Sequence, residues 1–402
     1  MSHQLSLAQR FEERLPRRGV DDPQYVPELV DAILDQAAAA YVSDVHLIPG
    51  KDDLRMEWRV DGVLQPVTRF PAAIASRVIG RLKVLSQLLT YQTDTPQEGR
   101  IRGREAGVEM RLSTFPTLFG EKAVIRMFVG SGGYRRLNDL GLPDEIAAAF
   151  SRFLRETGGL ILLAGPAGSG KTTTIYACLR ELLHESGPLR SLVSLEDPIE
   201  AVVEGVAQSQ VNLAAGFDMA TGLRSLLRQD PEVILLGEIR DRATAEIVFQ
   251  ASLTGHLVLS TFHAGSAAAA ISRLSDMGIE PYLLRSGVLT ILCQRLVRRL
   301  CECATPENDP AGALGLKVES YRVPAGCPRC GGTGYAGRLV LAEMLLPECG
   351  ALGRAILSRS DAAELEALAV EAGMITRWER ARRAVEAGLT SPAEVRRVLG
   401  FG

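Results

Sequence analysis

The sequence predicts an α/β chain. A parallel sheet covered by helices forms its larger part, a smaller α+β domain precedes that sheet, and a cysteine-bearing segment and a helical tail close the chain. Three observations predict this. Beyond about residue 143, short all-apolar runs alternate with helical stretches. The first of those runs leads directly into a glycine-rich loop. Before residue 130, strand-like runs flank an Asp-Gly pair instead.

At 402 residues the chain exceeds one typical core, so two or three domains are expected. The 46% hydrophobic and 23% charged content is that of an ordinary globular protein. A net charge of −3 gives no electrostatic case for nucleic-acid binding. Five lysines stand against forty arginines, a bias attributed to base composition. No apolar run reaches the roughly 18 residues that span a bilayer. The polar start, Met1 to Arg18, lacks a signal-peptide stretch. The expectation is a cytoplasmic protein, or one peripheral on a membrane.

Residues 1–22 read as a flexible arm, dense in charge and broken by Pro16 and Gly19. Its amphipathic piece, LSLAQRFEERL (5–15), is expected to fray. The α+β domain covers 23–130. A helical pattern starts at Pro27 with Leu29, Val30, Ile33 and Leu34. DVHLIP (44–49) is a strand. LRMEWRV (54–60) and VLQPV (63–67) flank Asp61-Gly62, a hairpin signal because both turn positions need positive φ. A helix follows over about 72–89, then strands at 107–114 and 122–128. Residues 131–142 read as a linker, with paired glycines and no apolar period.

The second domain is expected over 143–402. GLILLAG (159–165), SLVSL (191–195), EVILL (232–236) and HLVLS (256–260) lack polar alternation. Strands of that kind are buried on both faces, as in a helix-covered parallel sheet. Residues 296–345 hold a cysteine module, and 346–402 read as a helical tail.

Gly165-Pro166-Ala167-Gly168-Ser169-Gly170-Lys171-Thr172 fits the Walker A pattern in full. An apolar strand enters it and a helix leaves it. Glycines let main-chain amides converge on phosphate oxygens, and the helix amino terminus adds positive partial charge. Lys171 is expected on the β- and γ-phosphates and Thr172 on Mg2+, with Thr173 completing the nucleotide-binding set. This predicts ATP as the ligand.

Three further stretches bear on chemistry. VSLEDPIE (193–200) ends an apolar strand with Glu196 and Asp197, where acids face a ligand crevice. LLRQDPEVILLGEIRD (226–241) supplies the Walker B acid, but Gly237 stands where Asp is common, so Glu238 is assigned to the Mg2+ shell or its bound water and Glu196 to the general base, with the reverse split of the two roles as the alternative. SLTGHLVLSTFHAGSA (252–267) brackets a strand with His256 and His263, candidates to sense the γ-phosphate or to bridge subunits.

These stretches resemble the ATPases of type II secretion and type IV pilus assembly. VSLEDPIE is similar to that family's Asp box, RQDPEVILLGEIRD to its Walker B segment, and TGHLVLSTFHAGSA to its His box. Upstream, SDVHLIP, RVDGVL, PQEGRI (96–101) and MRLSTFPTLFGEKAVIR (110–126) are similar to its amino-terminal domain. The resemblance implies a RecA-like P-loop ATPase domain behind a PAS-like α+β domain, a homohexameric ring, and ATP hydrolysis coupled to mechanical work. It implies Arg100 and Arg111 as contacts to a γ-phosphate, with Arg240 at a subunit boundary. It places the protein on the cytoplasmic face of the inner membrane, against a platform protein and docking proteins, without nucleic acid. Little sequence precedes residue 25, so the family's first amino-terminal domain is expected to be absent or reduced.

RLCECA (299–304) and GCPRCGGTGYAGR (326–338) set Cys301, Cys303, Cys327 and Cys330 as an all-thiolate structural Zn2+ site. Cys301-x-Cys303 is tighter than the Cys-x-x-Cys usual in the family, and its sulfurs are expected to converge only on extended backbone. Cys178, Cys293 and Cys349 fall in apolar patterns and read as core. In the family this module marks secretion and extension motors. Retraction, DNA-uptake or conjugation motors of the same superfamily, or a nucleotide-regulated scaffold, are the alternatives.

Overall fold

A computed structural model of the chain describes residues 7–102, 108–129, 136–186, 190–348 and 350–401. The chain divides into two compact units. The first is 1–132 with 300–305 and 323–337, and the second is 133–299 with 306–322 and 338–402. The cysteine segments thus group with the first unit.

The first unit opens with helix α1 (Leu7–Glu12) and α2 (Tyr25–Ala39). Strands β1 (Asp44–Pro49), β2 (Asp53–Val60) and β3 (Val63–Pro71) follow, then α3 (Ala75–Leu85), β4 (Gln97–Arg102), β5 (Val108–Thr117) and β6 (Gly120–Val129). Among the described residues they form one sheet in the order β3-β2-β1-β6-β5-β4. Alternate residues such as Leu47, Met56, Trp58, Leu112 and Ile125 are buried, and the opposite face is polar. Asp61 and Gly62 make the β2–β3 turn with φ of 48° and 81°.

Two expectations change here. The arm is anchored, because Phe11 is fully buried with its ring edge-on to Trp58 at 5.6 Å. An amphipathic turn that buries one aromatic ring against two others does not fray. The helix expected to reach 89 stops at Leu85, since Gln87 takes φ of 59°, outside helical space. Of the expected linker, 131–135 lie outside the described residues. Leu137 and Leu140 beyond them are buried in the second unit's core.

The second unit adds α4 (Asp144–Phe153), β7 (Gly159–Ala164), α5 (Lys171–Ser186), β8 (Leu192–Glu196), β9 (Ala207–Gln210), α6 (Met219–Leu226), β10 (Val233–Leu236), α7 (Arg242–Leu253) and β11 (Leu257–Phe262). Then come α8 (Ala267–Asp276), α9 (Pro281–Gly287), β12 (Val288–Leu300), β13 (Thr305–Glu307), β14 (Tyr321–Val323) and β15 (Tyr335–Leu345). Helices α10 (Gly350–Leu357), α11 (Ala362–Glu371), α12 (Arg377–Glu386) and α13 (Pro392–Leu399) close the chain. The sheet order is β15-β12-β7-β11-β10-β8-β9, seven strands among the described residues. Neighbours from β12 to β9 pair in parallel.

The all-apolar strands are buried on both faces, as their composition predicts. Leu160, Leu162, Ile234, Leu236 and Val258 enter one core, while Ile161, Leu163, Val233, Leu235 and Leu257 enter the other. Cys178 and Cys293 are buried, as expected, and Cys349 lies outside the described residues. Strand β12 was not foreseen, because Arg295, Arg298 and Arg299 interrupt its apolar run. Arg298 explains its own presence. It bonds Glu394, a carboxylate with no solvent exposure, and so ties α13 to β12.

Candidate active site

Because β7, β8, β10 and β11 are parallel, their carboxyl ends share one edge of the second unit's sheet. The loop 165–170 leaves β7 there, Glu196 ends β8, Glu238 lies two residues past β10, and His263 directly follows β11.

The loop is shaped by its glycines. Gly165 has φ of 146°, and a Cβ on it would stand 2.4 Å from Ser169 Oγ and 2.7 Å from Gln294 O. Gly168 and Gly170 also take positive φ, at 73° and 93°. Lys171 is 8% exposed, and its Nζ donates to the carbonyls of Gly165 at 2.7 Å and Pro166 at 3.0 Å. Burial lowers the Lys171 pKa, and the nearby Glu238 carboxylate partly offsets this. Ser169 Oγ is buried with no hydrogen-bond partner, an unusual state for a hydroxyl. A cradle too tight for a Cβ, with a cation and an orphan hydroxyl, fits a phosphate chain.

Glu196 is 4% exposed. Its Oε1 accepts from Ser194 Oγ at 2.6 Å and Gln208 Nε2 at 3.1 Å, and its Oε2 accepts from the Tyr176 hydroxyl. Three of a carboxylate's roughly four acceptor sites are therefore filled. Tyr176 accepts in turn from the amides of Glu200 and Ala201. Burial and the bond to Glu196 push its hydroxyl pKa well above the usual tyrosine range.

Glu238 is wetter. Its Oε1 lies 3.1 Å from His263 Nε2, with the ring donating, and its Oε2 accepts from Arg240 Nε at 2.8 Å. Arg240 also reaches Asp197 at 3.3 Å, so it joins the segments after β8 and β10. Gly237 has a steric reason to stand where Asp is common. A Cβ there would lie 3.3 Å from the Glu196 main chain, a contact tighter than most Cβ atoms make. Thr261 Oγ1 donates to Gly237 O at 2.7 Å and fixes the turn that presents Glu238.

His256 is not brought to this edge. It precedes β11, one strand length away, or about 20 Å at the usual rise. Its Nδ1 lies 3.1 Å from Ala251 O and 3.3 Å from Thr254 Oγ1, so it closes the end of α7. Arg100 and Arg111 belong to the first unit and stand directly opposite each other on β4 and β5. The cross-strand row continues through Arg126 to Asp44. Asp44 binds Arg126 at 3.1 Å and Arg59 at 3.3 Å.

The four cysteine sulfurs lie within 4.8 Å of one another. Cys301–Cys327 is 3.8 Å, Cys303–Cys330 is 4.0 Å and Cys327–Cys330 is 3.7 Å. Tetrahedral zinc with Zn–S near 2.3 Å sets S···S at about 3.8 Å, so the set fits. The Cys301–Cys303 stretch is a turn, closed by the Ala304 amide on Cys301 O at 2.9 Å, and not the extended backbone expected. The turn brings both sulfurs to one side. At Cys330 burial raises the thiol pKa, but amides of Cys327 and Gly334 donate to the sulfur and hold it at about 6.

Comparison with known proteins matches the Type II/IV secretion system protein family model over residues 20–397. The chain belongs to this family. It is 40% identical over 385 residues to "Type II secretion system protein E" of Pectobacterium carotovorum, covering 94% of this chain and 76% of that one. It is 36% identical over 395 residues to "Type IV pilus assembly ATPase PilB" of Thermus thermophilus, covering 96% of this chain and 44% of that one. The solved structure of the Legionella pneumophila ATPase DotB covers 94% of this chain and is itself covered over 96%, with 21% identity and a TM-score of 0.67. That likeness is one of fold.

Seen as a member of the secretion family, the chain adds residues that sequence reading missed. Ser194 sits two before Glu196 on one strand, so the period of two put it on the same side. Tyr176, Gln208 and Gln294 carried no such signal, since each reaches the site from another element. Among the described residues, no helix is long and apolar enough to cross a membrane.

Proposed function

We propose that this chain is a Mg2+-dependent ATPase that works as a ring of six copies and powers type II secretion or type IV pilus or pseudopilus assembly. One observation carries the reading: the glycine cradle, Lys171, Glu238 and His263 gather at one edge of a parallel sheet. The names of the relatives support the biological setting. The four-sulfur cluster supports a secretion or assembly role over retraction.

In this reading residues 165–173 hold the nucleotide, and Lys171 leaves its own loop carbonyls for the β- and γ-phosphates. Thr172 and Glu238 would hold Mg2+, which neutralises charge on the phosphates. Glu196 is the general base, oriented by Tyr176, Ser194 and Gln208 with one acceptor position left for the attacking water. His263 reports the state of the γ-phosphate to Glu238. Arg100 and Arg111 reach a nucleotide from the first unit of a copy in the ring. His256 has a structural role. Cys301, Cys303, Cys327 and Cys330 hold a structural Zn2+. The domain plan of arm, α+β domain (23–130), linker and P-loop domain (143–402) is part of the proposal. So are the cytoplasmic location at the inner membrane and the platform and docking partners.

Phosphate release by wild type and by Lys171→Ala tests the enzyme claim. Wild type should turn over ATP with Mg2+, and the variant should lose at least about 100-fold. Equal rates would refute an ATPase at this loop.

A further inference from the structure

Strand β12 runs beside β7 with Cys293 level with Ala164, so Gln294 stands level with Gly165 at the mouth of the loop. Gln294 is 1% exposed. Its Nε2 donates to Ser169 O at 2.8 Å, and its Oε1 accepts from Thr174 Oγ1 at 3.1 Å. Its main-chain oxygen closes the space beside Gly165, and its Nε2 closes the space beside Gly170, each within 2.8 Å of where a Cβ would sit. One residue therefore touches the first glycine of the loop, the two residues before Lys171 and the first turn of α5.

The chemistry of the side chain matters. The contact needs a donor and an acceptor on one head, out of water. A carboxylate supplies no donor, arginine and lysine supply no acceptor, and leucine supplies neither. Within the loop, the Lys171 bonds to the Gly165 and Pro166 carbonyls are ones that a bound phosphate would draw away. The Ser169 amide meets Pro166 O at a long 3.3 Å. Its useful shape, with main-chain amides turned inward, thus depends on a strand that is not part of the loop.

We propose that Gln294 is a positioning residue that holds the loop 165–170 in its phosphate-receiving shape, so that β12 sets nucleotide affinity. The inference rests on the reading that this loop binds nucleotide phosphate. A preformed loop spares the ordering that binding would otherwise require, so its loss weakens ground-state affinity.

The test uses the full-length chain, a fluorescent ATP analogue with and without Mg2+, and steady-state hydrolysis. Gln294→Leu should weaken nucleotide binding about tenfold or more, with the loss heavier on KM than on kcat. Gln294→Asn keeps the amide but withdraws it by one methylene without adding charge, and Thr174→Val removes only the hydroxyl. Each should show a smaller loss, which covers the case of a Leu variant that does not fold. Thr174→Val added to Gln294→Leu should cost less than the two losses combined, because they share a partner. Amide exchange at 165–170 should quicken in the Asn variant of Gln294 while the melting temperature changes little. A merely structural glutamine would lower the melting temperature and leave the affinity of the folded protein alone. Affinities within twofold of wild type in the Gln294→Asn and Thr174→Val variants would overturn the proposal. If wild type itself bound no ATP, the phosphate reading would fall instead.

Discussion

His263 and His256 flank the same six-residue strand, yet their surroundings have little in common. His263 sits at the carboxyl end, bonded to Glu238 beside the lysine of the glycine loop. His256 sits at the amino end, where its ring meets a helix-terminal carbonyl and a threonine. The difference comes from topology. Parallel strands all point one way, so every loop that leaves a strand falls on one edge and can share a ligand. The other edge receives chain entering strands, and polar side chains there satisfy main-chain ends.

The comparison breaks most easily at Glu238. Glu238→Gln keeps the size of the side chain and removes its charge, and hydrolysis should fall about 1,000-fold while the protein stays folded. A loss under tenfold would mean that the carboxyl edge is not where the chemistry happens.

Glu394 sharpens the contrast, being as buried as Glu196 but serving as a staple. Glu394→Gln should cost about 3 kcal/mol of stability in urea melts, with the kcat of folded protein retained. Burial raises the Glu394 pKa, but Arg397 and Arg298 outweigh it, so the folded value lies below the ordinary carboxylate range. Its contribution is then complete above that range and is lost as pH falls through the folded value. Acid melts of wild type should therefore steepen below about pH 4, and those of the variant should be flatter.

The cysteine set offers a third contrast, a site proposed to hold a metal without reacting. Metal analysis should find one zinc per chain. Cys330→Ser should lose it and melt at least about 5 °C lower, with nucleotide affinity unchanged. Zinc far below one per chain in wild type would contradict this.

Much of this was legible in the sequence, and the exceptions have physical causes. The inner strands announced themselves because burial on both faces leaves only apolar residues, as in Val233 to Leu236. The glycine loop was legible because its φ values demand glycine. Strand β12 was hidden by arginines whose partners come from elsewhere, Glu394 for Arg298 and the Gly265 carbonyl for Arg295. Gln294 was hidden with it. The filled acceptor sites of Glu196 depend on Tyr176 and Gln208, which no local pattern links to it. Phe11 lay in a charged arm, and only its fit against Trp58 and Phe70 shows that the arm is held. The two histidines could have been ranked from the parallel sheet that the apolar runs predict, because only His263 follows its strand.

That ranking gives the most direct test. ATP hydrolysis should be measured with Mg2+ for His263→Ala and His256→Ala under one set of conditions. We predict a loss of about tenfold or more for His263→Ala and a rate within about twofold of wild type for His256→Ala. Equal losses in the two variants, or a larger one at His256, would contradict the claim that the carboxyl edge of the sheet holds the chemistry.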